Sequence, residues 1–419
     1  MREGNAGFVL RRNVIFVEGY DPRGAQGYFD LLRRTCDQFQ HLWPVSATLR
    51  LPRVETADFA RWRLDVRGSD WQTATDYEFL RLEDSIRFDL DRSTARQLLC
   101  GLRWLIGDLL SGALFRIFWA SWRFGLHLLH FQVLLLAWVA LPAMIAVLVG
   151  GAVIGYLGFV SLGVLAALVA AFAFVLILRP IAEKSGVVQI SNCWAVLRKF
   201  ARGGPTWIDH RIEIGARRVL AVARANESDE LAVVGHSSGG VVAAAIMDRA
   251  LELDPDLGRN GIRLVLLTLG SVMPAVALHP AAARMRDIVR RLAVAPALTW
   301  VDCQSRKDVM CFANFDPVDG VGVEAGKQRR NPLIWRIRFR DMIAPEKYSR
   351  FSWNHLRVHY QYILAGDQPA PYDYVLLVGG PMPIADWPKR GGELLLAFAR
   401  NEMSRGGRPR DHIEIGACP

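Results

Sequence analysis

Three observations in this 419-residue chain predict an α/β fold: a mostly parallel sheet flanked by helices, with an inserted two-helix transmembrane hairpin. Apolar runs of strand length alternate with segments of helical periodicity. One such run, ELAVV (230–234), leads straight into Gly235-His236-Ser237-Ser238-Gly239 and then into the small-residue stretch VVAAAIM. Finally, residues 124–178 contain no Asp, Glu, Lys or Arg.

The N-terminal residues MREGNAGFVLRRNVIFVEGY lack the apolar core and cleavage site of a signal peptide. Residues 13–18 read as a short buried strand. A glycine-rich turn follows, then a helix with Tyr28, Leu31 and Leu32 on one face. Residues 47–90 hold partly strand-like pieces rich in Arg, Asp and Trp that periodicity does not place. Residues 98–124 mix apolar side chains with Arg103, Asp108, Arg116, Arg123, Trp104, Trp119 and Trp122, the mixture of an interfacial helix.

About 20 helical residues cross a bilayer core, so the charge-free stretch accommodates two spans. They are expected at about 128–149 and 153–178, broken near Gly150-Gly151, with Pro142 kinking the first. Small residues in the second (Gly155, Gly158, Gly163, Ala166, Ala167, Ala170) suit close helix approach. A buried hairpin of a soluble protein is the competing reading. After Arg179, Ile212, Ala216, Val219, Leu220 and Ala223 form a helical stripe. Strands follow at 231–235, 263–269, 298–303 and 333–339, with helices at 239–252 and from His355 to Leu364. DHRIEIGA (209–216) nearly recurs as DHIEIGA (411–417), a single short match that establishes no repeat. The organisation is thus an N-terminal part of one α/β domain (1–97), an interfacial helix plus hairpin (98–180), and the main part of the domain (181–419).

Hydrophobic residues make up 52% of the chain, and the excess over a soluble domain is concentrated in the hairpin. The formal charge is +10, which suits nucleic acid, an anionic membrane surface or nothing beyond solubility. There is no zinc-finger spacing and no RNP-like aromatic motif, so the expected partner is the lipid bilayer and not nucleic acid. Six irregularly spaced cysteines without a CxxC pair read as free thiols in a reducing compartment.

Gly-x-Ser-x-Gly between a strand and a helix has a mechanical purpose. The turn pushes the Ser237 hydroxyl above the sheet, and flanking glycines relieve the crowding. The helix that follows aims its N-terminal N–H groups at the site. With this context the chain resembles the α/β-hydrolase superfamily, lipase/esterase-like members in particular, over roughly 10–40 and 205–365. The resemblance implies the chain order nucleophile, acid, base. The acid is then Asp308, in CQSRKDVMCFANFDPVDG, with Asp316 and Asp302 as rivals. The base is His359, with His355 as rival; both lie in WNHLRVHYQYIL. Their i, i+4 spacing also suits zinc, but no HExxH glutamate or third ligand accompanies them, and no metal or cofactor is expected. His236 reads as a packing neighbour. The implied oxyanion hole is formed by the N–H groups of Tyr20 and Ser238, although Glu18-Gly19 stands where many lipases have His-Gly. Arg23 is either a headgroup contact or a solvated turn residue.

The implied activity is that of a membrane-anchored serine hydrolase cleaving a carboxylic ester, lipid esters included. An acyltransferase or thioesterase on the same triad is the second reading, and an inactive membrane scaffold the third. Arg103, Arg116 and Arg123 precede the hairpin and Arg179, Lys184, Arg198 and Lys199 follow it. The positive-inside rule then places the catalytic domain on the cytoplasmic side of an inner or plasma membrane.

Overall fold

The computed structural model describes residues 8–204, 206–259 and 261–399; side chains at 51–55, 94, 95, 98, 181–185 and 394–399 are not described. DHIEIGA (411–417) and Cys418 lie outside the described residues.

Apolar runs that pair with like runs on both edges end up buried on both faces, which is how a parallel sheet core forms. Strands β1 (Arg11–Val17), β5 (Glu230–His236), β6 (Arg263–Leu269) and β7 (Leu298–Gln304) are of this kind. With β2 (Ser46–Glu55), β3 (Phe59–Arg67), β4 (Gln72–Leu80) and β8 (Leu333–Arg336) they make one eight-stranded sheet in the order β2-β3-β4-β1-β5-β6-β7-β8. The pairings from β4 through β1 to β8 are parallel. The sheet is mixed because β2, β3 and β4 form an antiparallel meander. These strands are the segment that periodicity left unplaced. Trp62, Leu64 and Val66 alternate inward, while Arg61 and Arg63 pair across the sheet with Glu78 and Asp76.

Helix α1 (Gly24–Leu42) joins β1 to β2. Among the described residues seven helices lie between β4 and β5: α2 (Glu83–Leu90), α3 (Thr94–Leu110), α4 (Ala113–Ala120), α5 (Trp122–Leu157), α6 (Val160–Ser185), α7 (Val187–Ala201) and α8 (Trp207–Ala225). Helix α9 (Gly239–Leu253) follows β5, and α10 (Met273–Ala277) and α11 (Ala283–Val294) follow β6. Beyond β8 come α12 (Pro345–Trp353), α13 (His355–Tyr360), α14 (Tyr374–Gly379) and α15 (Trp387–Ala399). One core joins the sheet to α7, α8, α9, α11 and the start of α5; the other joins it to α1, α14 and the C-terminal segment.

The strand order reverses at β1, which lies between β4 and β5 and parallel to both. A crevice is expected at the carboxyl ends of the strands at such a point. Because β4 runs parallel to β5, the α2–α8 insertion leaves the sheet at this same edge.

The hairpin differs from the expected one. Helix α5 runs unbroken through Gly150-Gly151 and Pro142, and the chain turns at Gly158 (φ 73°). A Cβ on Gly150 would lie 2.9 Å from the Cβ of Ala167 and 3.0 Å from the Gly163 carbonyl oxygen. Glycine there permits two helices to touch and does not break one. Both helices are candidate membrane spans, with mean hydropathy 2.6 for Trp122–Leu157 and 2.8 for Val160–Pro180 and most of their surface uncovered. At 1.5 Å per residue α5 is roughly 54 Å long, well beyond the ~30 Å hydrocarbon thickness. Its first turns pack on the domain instead, with Phe124 and Leu128 in the core. Residues 98–124 form the end of α3, α4 and the start of α5, and expose Ile106, Leu109, Leu110, Phe115, Trp119 and Trp122. Arg198, counted above among the flanking cations, is fully buried and paired with Asp108 of α3 at 3.2 Å.

Candidate active site

Two residues, Ser237 and Ser238, separate the end of β5 from the start of α9. Ser237 has φ 58°, a left-handed conformation that costs a non-glycine residue about 1–2 kcal/mol. Its N–H donates to the Leu269 carbonyl at 2.9 Å, and its own carbonyl accepts from the Gly240 N–H at 3.1 Å. The glycines make this tightness possible. A Cβ on Gly235 would lie 2.6 Å from the Gly239 carbonyl oxygen, and one on Gly239 would run into the carbonyls of Val17 and Glu18. The Ser237 side chain is partly exposed on the floor of a cleft of about 400 Å³.

His359, on α13, is buried and lines the same cleft. Its Nδ1 meets Asp308 Oδ2 at 2.8 Å, while its Nε2 has no hydrogen-bond partner among the described residues. Asp308 lies in the loop after β7, and its Oδ1 accepts the Met310 N–H at 2.8 Å. Burial works to raise the Asp308 pKa, but His359 and the Met310 N–H hold it below the usual carboxylate value. Asp308 is therefore an ionised partner for the ring.

Of the remaining candidates, Asp316, Asp302 and His355 make no hydrogen bond to this pair among the described residues, whereas His236 packs against it. Asp316 is held by Arg329 through two hydrogen bonds of 2.6 and 2.8 Å. Asp302 is buried in β7, bonded to Thr268 and Gln304, and pushed up to about 6 mainly by burial. His355 is exposed at the rim of the cleft. His236 Nε2 donates to the His359 carbonyl at 3.0 Å, and the two rings are 4.8 Å apart. Burial, then the neighbouring His359, lowers the His236 pKa to about 3, so His236 is neutral. Arg23 is tied to Asp21 at 3.3 Å and packs over the Tyr360 ring at 4.8 Å.

The loop after β1 reaches the same turn. A Cβ on Gly19 would lie 3.2 Å from that of Ser237. The Tyr20 N–H, one of the two expected oxyanion donors, is engaged by Ser238 Oγ at 2.8 Å. Gln189 of α7 donates to the Tyr20 carbonyl at 2.6 Å and holds this loop. Beneath it Glu18 is fully buried, and neither carboxylate oxygen has a hydrogen-bond partner among the described residues. Burial first, then Asp21 and Glu83, pushes its carboxyl well above the usual range.

Sequence reasoning missed the contribution of the hairpin. His127, His130 and Phe131 of α5 line the cleft together with Gln189, Ile190 and Cys193 of α7. The only signal was two histidines in an otherwise charge-free run. Burial pushes the Cys193 thiol up to about 12, so it stays protonated. Among the described residues no group of three or more His, Cys, Asp or Glu is placed to hold a metal ion. Chemically, the cleft offers a hydroxyl on a strained turn, an imidazole oriented by an ionised carboxylate, and N–H groups at a helix start. Comparisons with protein-family models, with curated proteins and with solved structures find no match to this chain.

Proposed function

We propose that this chain is a membrane-anchored serine hydrolase of α/β-hydrolase type that cleaves a carboxylic ester through Ser237, His359 and Asp308. The observation that carries the reading is the Asp308–His359 bond through Nδ1, which leaves Nε2 without a partner among the described residues, on a side chain that lines the same cleft as Ser237. A histidine so oriented is a base and a lone surface histidine is not.

In this mechanism Ser237 Oγ passes its proton to His359 Nε2 and attacks the ester carbonyl. The carbonyl electrons move to oxygen, and the N–H groups of Ser238 and Tyr20 receive the oxyanion. Rotation of the Ser238 hydroxyl releases the Tyr20 N–H for this purpose. His359 then protonates the leaving alcohol and the acyl group remains on Ser237. Water, deprotonated by His359, attacks the acyl-enzyme and frees the acid. Asp308 stays ionised throughout and holds the tautomer. In this reading the two candidate spans anchor the domain, and the positive-inside rule, applied to Arg103, Arg116, Arg123 and Arg179, favours the cytoplasmic face.

The test is labelling of the full-length protein in detergent or nanodiscs with a fluorophosphonate. Wild type is expected to react at one serine, and Ser237→Ala to lose the label. Labelling that survives the substitution overturns Ser237 as nucleophile. A wild type that neither labels nor hydrolyses esters would favour the scaffold reading.

A further inference from the structure

An apolar side pocket of about 50 Å³ opens beside Ser237 and runs between α5 and α7. Its walls are Phe124, Leu128 and Phe131 on one side and Trp194 and Leu197 on the other. Residues 124, 127, 128 and 131 fall on one face of α5, as helical spacing requires. The opposite face presents Leu126, Leu129, Val133 and Leu136, all exposed. The same helix continues without a break into the candidate span. The wall is also fixed in place. Arg123 donates to the Arg306 carbonyl in the loop that carries Asp308, and Phe124 packs on Phe312 at 4.7 Å. On the rim of the cleft Leu356 is 58% exposed.

We infer that the start of α5 is a wall of the active site, and that the pocket between α5 and α7 receives the first few carbons of the acyl chain of a bilayer lipid whose ester carbonyl meets Ser237. The inference rests on the hydrolase reading and adds the substrate class to it. Apolar walls fit a hydrocarbon chain. The polar part of the cleft, with His127, His130, His355 and Gln189, is left for the ester and headgroup. The chain leaves the bilayer along a helix that is itself embedded there, so its apolar surface remains covered on the way.

The experiment uses full-length protein in nanodiscs and a dodecyl fluorophosphonate that carries its diazirine close to the phosphorus end of the chain. Ser237 should be labelled, and irradiation should then cross-link the chain to peptides covering 124–131 or 190–197. Labelled Ser237 with cross-links only elsewhere overturns the pocket assignment and leaves the hydrolase reading intact; no labelling of Ser237 overturns both. Leu128→Trp, which fills the pocket, should lower kcat/KM for a dodecanoyl ester by about ten-fold more than for an acetyl ester. Leu128→Ala should shift preference toward longer chains. Equal changes on both esters in both variants would overturn the inference. A dodecanoyl lipid in the nanodisc should be cleaved about ten-fold faster than a soluble dodecanoyl ester at equal bulk concentration. The reverse order would assign the pocket to a soluble acyl donor and overturn the bilayer source.

Discussion

Asp308→Asn tests the proposed chemistry most directly, because the structure dictates how the new amide must sit. Asp308 Oδ1 accepts the Met310 N–H at 2.8 Å, and Oδ2 faces His359 Nδ1 at 2.8 Å. An asparagine keeps its carbonyl oxygen toward Met310, since its NH2 cannot accept. The NH2 therefore turns toward His359, Nδ1 must accept, and the ring proton moves to Nε2. A histidine protonated at Nε2 cannot take the Ser237 proton. The expected loss in kcat is about four orders of magnitude, or ~5 kcal/mol of barrier. Asp316→Asn is the paired control. Its Arg329 partner keeps Asp319 at 2.6 Å, and the pair is partly exposed, so the cost is about 0–1 kcal/mol of stability with turnover within about three-fold. Initial rates on a short soluble ester, with thermal unfolding to confirm folding, measure both variants. Asp308→Asn within about ten-fold of wild type would refute the reasoning. So would an Asp316→Asn variant as inactive as Asp308→Asn.

Two more predictions concern stability and topology. His236 is held neutral with a pKa of about 3, below the ~6.5 of an unfolded histidine, so the unfolded chain takes up a proton first as pH falls and stability drops. Between about pH 7.5 and pH 5 this amounts to about 2 kcal/mol, which His236→Asn should remove from the pH dependence of unfolding; parallel losses in both proteins would contradict it. For topology, a membrane-impermeant maleimide added to intact cells should label Phe159→Cys at the hairpin tip and spare Asp256→Cys in the domain, and the opposite pattern would reverse the orientation.

What could be read along the chain was whatever depends on near neighbours. The turn at Ser237 is one case, because a strand, a left-handed residue and the glycines beside it are all within a few residues. The strands β1, β5, β6 and β7 are another, since burial on both faces leaves a short, largely apolar run in each. The charge-free run likewise pointed to two long apolar helices, as length and composition suffice for that. Harder to read were β2 to β4, whose Arg and Asp residues are balanced by cross-strand partners far away in sequence. The turn of the hairpin was misplaced because Gly150 answers to Gly163 and Ala167 on the other helix. The choice among carboxylates needed the tertiary structure as well. Asp308 and Asp316 share one loop, and only the path of that loop past α13 brings the first to His359 and the second to Arg329. The α5 wall of the cleft was the least legible feature. A helix rich in apolar residues looks alike whether it faces lipid, a core or a substrate, and which of these Phe124 and Leu128 face depends on α7 and the Asp308 loop packing against them.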